Sequence, residues 1–164
     1  MALTSQQLVV LKTAILAETD PEFVSYRDNG QVPKMAEWYN KPNSPEFTVW
    51  KTFVTTAEVG KTVSYIAVEA MTDANRVRIT TFYAMNPISF EPRADIRTYW
   101  ANTFSGALGG EGANTRLALE ALWKRAAPRA EKLYATGTGS VASPGTLVFA
   151  GSITDSDIQP ALAL

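Results

Sequence analysis

A mainly α fold follows from three observations: a compact multi-helix domain with one or two short β-strands and an extended C-terminal arm. Apolar residues recur at helical spacing, most cleanly at Ile96, Tyr99, Trp100, Thr103 and Phe104. Capping residues precede several such stretches at the offsets that orphan backbone N–H groups require. Finally, a charged helical pattern stops at Lys132, and no charge follows until Asp155. Between them lie a Gly/Ser/Pro run and the apolar Leu147, Val148 and Phe149, a segment too small to make a core of its own. The expected division is a helical domain over 1–135 and an extended arm over 136–164.

Thr4 to Glu18 reads as a helix with Leu8, Leu11 and Ile15 on one face and Thr4 or Ser5 as cap. Asp20-Pro21 restarts the chain as N-cap and first helical residue, and Asn29-Gly30 stops it. Val32 to Tyr39 adds another turn or two, and NKPNSP (Asn40 to Pro45) is a loop by composition. Phe47 to Val54 is extended, from its aromatic and β-branched content. Thr55 with Glu58 has the form of a capping box for a helix from Ala57 to Ala70. Thr72-Asp73 caps a helix from Ala74 to Met85, stopped by Asn86-Pro87, and Asp95 to Ser105 makes the next. GALGGEG (Gly106 to Gly112) reads as a break. Asn114 then caps a helix that carries Lys124 and Arg125 in its last turn. Pro128 starts a continuation to Ala135. Beyond it come a hinge over Thr136 to Gly145, a strand over Thr146 to Ala150 seeking an edge, and a capped last turn from Thr154 to Ile158.

With 164 residues the chain is one domain's worth and can bury roughly two-thirds of its unfolded surface. It has no cysteine and no histidine, which removes disulfides, thiolate catalysis, Cys/His metal sites and imidazole acid–base chemistry together. The start has no basic region before its interrupted apolar residues, and no run approaches a membrane span, so a soluble protein without an export signal is expected. A net charge of −1 argues against a surface built wholly for nucleic acid. The charge is unevenly placed: residues 1–74 carry six Lys/Arg against nine Asp/Glu, and residues 75–138 carry nine against five. A mildly basic middle beside acidic ends would suit head-to-tail contacts between subunits; ordinary surface scatter is the alternative.

Candidate chemistry is thin. GALGGEG lacks the spacing of a dinucleotide fingerprint and the Lys-Ser/Thr of a P-loop. Asp155 and Asp157 lack the glycine and the distant glutamate of a calcium loop, and capping explains them with less assumed. Glu91 and Asp95 read as solvated charges at a helix start. Arg76, Arg78, Arg93, Arg97, Arg116, Lys124, Arg125 and Arg129 form the sizeable basic set, a candidate for contact with DNA backbone or, preferably, with acidic protein surfaces. Trp38, Trp50, Trp100 and Trp123 fall in patterns that place them mainly in the core. No catalytic, cofactor-binding or metal-ligating residue is nominated, and no enzyme activity is expected.

Three segments carry a family resemblance: SPEFTVWKTFVTTAEV (Ser44–Val59), PRADIRTYWANTFSG (Pro92–Gly106) and AEKLYATGTGS…SPGTLVFAGSITDSDI (Ala130–Ile158). They resemble a family of small structural proteins encoded by tailed bacteriophages, with a P-x-F-x-V-W-[KR]-T-x-V-T-x-x-E segment and a closing A-E-[RK]-L-[FY]-A-x-G-T-G-S segment. The resemblance runs from about Asn40 to Ile158, departs from the pattern at Lys61–Ala70 and near Gly109–Asn114, and carries over no functional residue. It implies a virion protein, by size and helical content similar to head–tail connector (adaptor) subunits. Such a subunit forms a homo-oligomeric ring of about twelve copies, a dodecamer, beneath the portal. The partners so implied are the chain itself, the portal protein and other neck or tail proteins, with DNA only passing through the ring lumen and no membrane. It would be assembled in the bacterial host cytoplasm and reside in the virion at the head–tail junction, with no cofactor. The arm would dock through Leu147, Val148, Phe149, Ile153 and Ile158, by strand addition and burial in a groove. Its removal over 141–164 would leave a folded domain. A capsid decoration or tail-terminator protein is the alternative, and a phage enzyme or DNA-binding regulator the more distant one.

Overall fold

The computed structural model describes residues 3–105 and 108–164, and it is mainly helical, as the periodicity predicts. Helix α1 (Ser5–Ala17) starts with a capping box: Gln7 N–H donates to Thr4 Oγ1 at 3.3 Å and Thr4 N–H to Gln7 Oε1 at 2.9 Å. In α2 (Pro21–Asp28) the Asp20 carboxylate accepts from Glu22 N–H, Pro21 opens the helix, and Gly30 follows its end at φ 64°. Next come α3 (Val32–Asn40), the short strands β1 (Thr48–Trp50) and β2 (Val54–Thr55), and α4 (Thr56–Thr62) behind the expected Thr55/Glu58 box.

Two helices stand where one was expected over Ala57–Ala70. The chain turns extended at Val63, and the Ser64 hydroxyl caps a new start at α5 (Tyr65–Glu69) by accepting from Ala67 N–H. Helix α6 (Asp73–Met85) is capped by Thr72 and precedes β3 (Ser89–Phe90), which pairs antiparallel with β2 in the register Val54↔Phe90. Helix α7 (Ala94–Thr103) matches the cleanest sequence pattern.

Helix α8 (Gly109–Leu122) begins five residues before the expected Asn114 cap, so Gly109 to Gly112 are helical rather than a break; Gly106 and Ala107 lie outside the described residues. Gly112 is buried where a Cβ would come 2.5 Å from Leu108 Cβ, so the bare glycine lets this first turn close. Lys124 and Arg125 do not extend that helix. They form β4 (Lys124–Ala126), paired with β1, and Pro128 disfavours further helix just beyond. The chain ends in α9 (Arg129–Tyr134) and α10 (Asp155–Ala163). The strands among the described residues are short, two or three residues each, in keeping with a mainly helical fold.

The chain divides into two units. Unit 1 is the segment ending at Val49 together with Ala126–Leu164, and unit 2 is Trp50–Arg125. This division corrects the expected boundary at 135/136, since residues 136–164 belong to the same unit as the N-terminal helices. Ile153, Ile158 and Ala161 are no more than 1% exposed, in one core with Leu11 and Ile15 of α1, Phe23 of α2, and Met35, Trp38 and Tyr39 of α3. The physical reason is the apolar content of α10, which finds its partner surface inside its own chain. A cut at 141 therefore removes core, not an appendage.

Two polar devices hold this return. The Asn40 amide brackets Ile153, donating to its carbonyl at 2.8 Å and accepting from its N–H at 2.9 Å. The expected hinge is also pinned: Thr48 N–H donates to Gly139 O at 2.7 Å, Gly145 N–H donates to Thr48 O at 2.9 Å, and Thr136 pairs antiparallel with Thr146. Of the expected strand over Thr146–Ala150, only Thr146 is paired. The Phe47 ring fills the space between Gly139 and Gly145; a Cβ on Gly145 would meet it at 2.8 Å, and one on Gly139 would fall within the ring.

Unit 2 has its own core of Val54, Val59, Ile79, Phe82, Phe90, Trp100, Phe104, Leu119 and Trp123. Phe82 sits at its centre, edge-on to Phe90 at 4.8 Å and to Trp100 at 5.1 Å, while Trp100 stacks on Phe104 at 6.0 Å.

Asn40→Ala leaves both main-chain groups of Ile153 without their partner. It should cost unit 1 about 2–3 kcal/mol, with hydrogen exchange localising the loss to α1, α3 and α10. Gly139→Ala meets the Phe47 ring at a backbone φ of +67°; it should cost about 2–4 kcal/mol, read as a lower urea midpoint.

Candidate interaction site

Helices α7 and α8 line one concavity of about 240 Å³ in unit 2 with both charged and apolar side chains. From α7 come Arg97, Trp100 and Ala101 at helical spacing, and from α8 Arg116, Leu119 and Glu120, followed by Trp123. Trp50, at the end of β1, closes the side. It is half-buried rather than core, unlike Trp38, Trp100 and Trp123.

The Arg97 guanidinium lies 3.7 Å from the Trp50 ring centroid, and its Nη1 donates to Pro92 O at 2.6 Å. Partial burial pushes the Arg97 pKa below the ordinary arginine value, against the opposing pull of Asp95, which is itself paired with Arg93. Arg116 is exposed and has neither an ion pair nor a hydrogen bond among the described residues. Lys124 also approaches the Trp50 ring, at 5.4 Å, but is paired with Glu120 at 2.6 Å. Two guanidinium groups without an ion pair among the described residues, beside an aromatic ring and with the Glu120 carboxylate of the same cleft held by Lys124, are an arrangement that can bind an anion.

The rest of the basic set is spent locally. Arg76 donates to the carbonyls of Val68, Glu69 and Met71 and pairs with Asp73. Arg78 donates to Asn75, and Arg93 pairs with Asp95, which also disposes of a Glu91/Asp95 acid pair. Arg125 is engaged as well. Arg129 belongs to unit 1, where it stacks 3.7 Å from the Trp38 ring and donates to Trp38 O.

The arm residues nominated from the sequence have separate fates. Ile153 and Ile158 are core, Phe149 packs edge-on to Tyr134 at 5.2 Å, Leu147 is half-buried, and Val148 is 69% exposed. Val148, Phe149 and Ala150 line a groove with Gln6, Gln7 and Val10 of α1. Thr154 is the N-cap of α10, one of the two candidates with Asp155, and Asp157 completes the cap by accepting from Thr154 N–H at 2.9 Å and from Thr154 Oγ1 at 2.6 Å. Among the described residues no group of three or more His, Cys, Asp or Glu is placed to hold a metal ion, and no helix is long and apolar enough to cross a membrane.

No protein-family model, curated protein or solved structure matches this chain. Its functional reading therefore rests on the geometry described and on the sequence resemblance.

Sequence reasoning listed Arg97, Arg116, Lys124 and Trp50 without assembling them. The signal was available in part: Arg97/Trp100/Ala101 and Arg116/Leu119/Glu120 each mark one helix face. That the two faces meet at Trp50 depends on the fold.

Unit 1 carries a pH dependence. Burial raises the Tyr134 phenol from its ordinary value near 10 to about 12, and raises the buried Tyr39, whose hydroxyl has no partner among the described residues. A phenol harder to ionise when folded contributes stability present below pH 10 and lost as pH rises through the folded value. Unit 1 should lose stability as pH rises from about 10 through about 12, read as a falling urea midpoint by circular dichroism. Tyr39→Phe should keep the neutral-pH stability and shift that loss to higher pH.

Proposed function

We propose that this chain is a structural virion protein of a tailed bacteriophage, a head–tail connector (adaptor) subunit that forms a ring beneath the portal. The sequence resemblance supplies the virion class. Two of its three segments, around Phe47 and around Gly139–Gly145, are interlocked in unit 1 through the Phe47 ring, which gives those motifs a packing role.

The observation that carries the ring reading is the division of charge between the units. Unit 1 has six Lys/Arg against nine Asp/Glu, and unit 2 has nine against seven. A closed ring needs two different faces on each subunit that fit one another. Opposite signs on separate units of one chain supply such a pair, and they favour association while repelling like faces. Large apolar side chains left in water add support: Tyr65 is 81% exposed, Ile88 77%, Met85 76% and Val148 69%. Ile88 is held outward, its carbonyl accepting from Thr56 N–H at 3.1 Å.

On this reading the partners are other copies of the chain, the portal protein and adjoining neck or tail proteins. DNA passes through the lumen without being read. The role is not enzymatic and needs no cofactor. Assembly takes place in the host cytoplasm, and the mature location is the head–tail junction. Docking uses folded surfaces, with Val148 the exposed member of the former arm set, rather than a free arm.

Quantitative electrophoresis and a reconstruction of purified particles decide the matter. About twelve copies at the portal vertex are expected. Hundreds of copies spread over the head would replace the connector with a decoration protein, a ring at the tail's end would indicate a terminator, and absence from particles overturns the virion reading.

A further inference from the structure

We infer that the Trp50 cleft of unit 2 receives a carboxylate side chain from unit 1 of a second copy of this chain. This deepens the ring reading and rests on it. The cleft holds two guanidinium groups, Arg97 and Arg116, that make no ion pair among the described residues; the nearby carboxylates are engaged elsewhere, Glu120 of the cleft wall with Lys124 and Asp95 with Arg93. Arg97 is fixed by Trp50 and by the Pro92 carbonyl, so little side-chain entropy remains to be lost when an anion arrives. The half-buried Trp50 ring, with the buried Trp100 and Trp123, gives the cleft an apolar lining that suits the aliphatic stem of Glu or Asp. At about 240 Å³ the cleft admits one such side chain.

The same chain carries the complement. Most acids of unit 1 are occupied: Glu22, Asp28 and Glu37 in ion pairs, and Glu18, Asp20 and Asp157 on backbone N–H groups. Glu46 and Asp155 are exposed and have no partner among the described residues. Unpaired acids on one unit and unpaired arginines on the other, in a chain with little net charge, fit copy-to-copy contact in a head-to-tail sense. A phosphate backbone fits less well. Duplex binding needs a row of free cations, and Arg76, Arg93, Lys51 and Lys124 are already paired with Asp73, Asp95, Glu58 and Glu120.

The test is sedimentation velocity over a concentration series at low and high salt, on wild type, Arg116→Glu, and a Glu46→Arg/Asp155→Arg double variant. Arg116 is exposed and makes no contact that folding needs, so its reversal leaves the fold intact, checked by circular dichroism. Wild type should self-associate in a salt-sensitive way, and each variant about tenfold or more weakly. An equimolar mixture of the two variants should regain association, because the acidic face of one meets the unaltered cleft of the other and the swapped charges also match. Variants that associate as tightly as wild type, or a mixture that regains nothing, overturn the inference. So does a wild type that stays monomeric, and one that instead shifts DNA through Arg116 makes phosphate the ligand. Particle content separates the two claims. Wild type present in particles with Arg116→Glu present equally sinks the cleft assignment alone. Wild type missing from particles sinks the connector reading, while solution association still decides the cleft.

Discussion

The return of the C-terminal segment to the N-terminal helices is the constraint on which unit 1 depends. Its core takes Leu11 and Ile15 from the first helix, Met35 and Trp38 from the third, and Ile153, Ile158 and Ala161 from the far end of the chain. The closure is long in sequence, 113 residues between Asn40 and Ile153, and the loss of chain entropy grows only slowly with that length. Burial of Ile153 and Ile158 offsets it, since each large aliphatic side chain removed from water contributes roughly 1.5–3 kcal/mol. Asn40 then makes the burial tolerable, because the backbone beside Ile153 enters the core region with both its hydrogen bonds made.

The two cores differ in kind, and this bears on what each unit offers to a partner. Unit 1 is aliphatic helix packing with a small Phe23–Trp38–Tyr39 aromatic group. Unit 2 is organised by rings around Phe82, and its outermost ring, Trp50, is left at the surface with an arginine stacked on it. A partly buried aromatic beside unpaired guanidinium groups is the composition that concentrates binding energy at protein interfaces. The charge excess of each unit is small. Local ion pairs and caps engage many of the charges, and those without an ion pair among the described residues include Arg97 and Arg116 in unit 2 and Glu46 and Asp155 in unit 1.

Local signals were legible wherever a few consecutive residues settle the outcome. Thr4, Asp20-Pro21, the Thr55/Glu58 box and Thr154 all cap helices where expected, because each satisfies a backbone N–H within three residues; the reciprocal partners Gln7 and Asp157 are added by the structure. Signals failed where a distant partner competes. Lys124 and Arg125 read as the end of a helix, yet β1, more than 70 residues earlier, draws them into a strand. The glycines of α8 read as a break, and Leu108 closing on Gly112 turns them into a first turn. The NKPNSP loop was identified as a loop, but composition says nothing of Asn40 holding Ile153 or Asn43 donating to Ala127.

By itself, the sequence determined the helical class, most helix starts and stops, the absence of Cys and His chemistry, and the uneven charge, all properties of composition and short spacing. The tertiary structure alone decided that the last 29 residues complete a core instead of trailing as an arm, and that Arg97, Arg116 and Trp50 share one cleft. The reason is the same in both cases. Burial and electrostatic pairing depend on which surfaces meet in space, and a one-dimensional pattern records that a face is apolar or charged without recording what it faces.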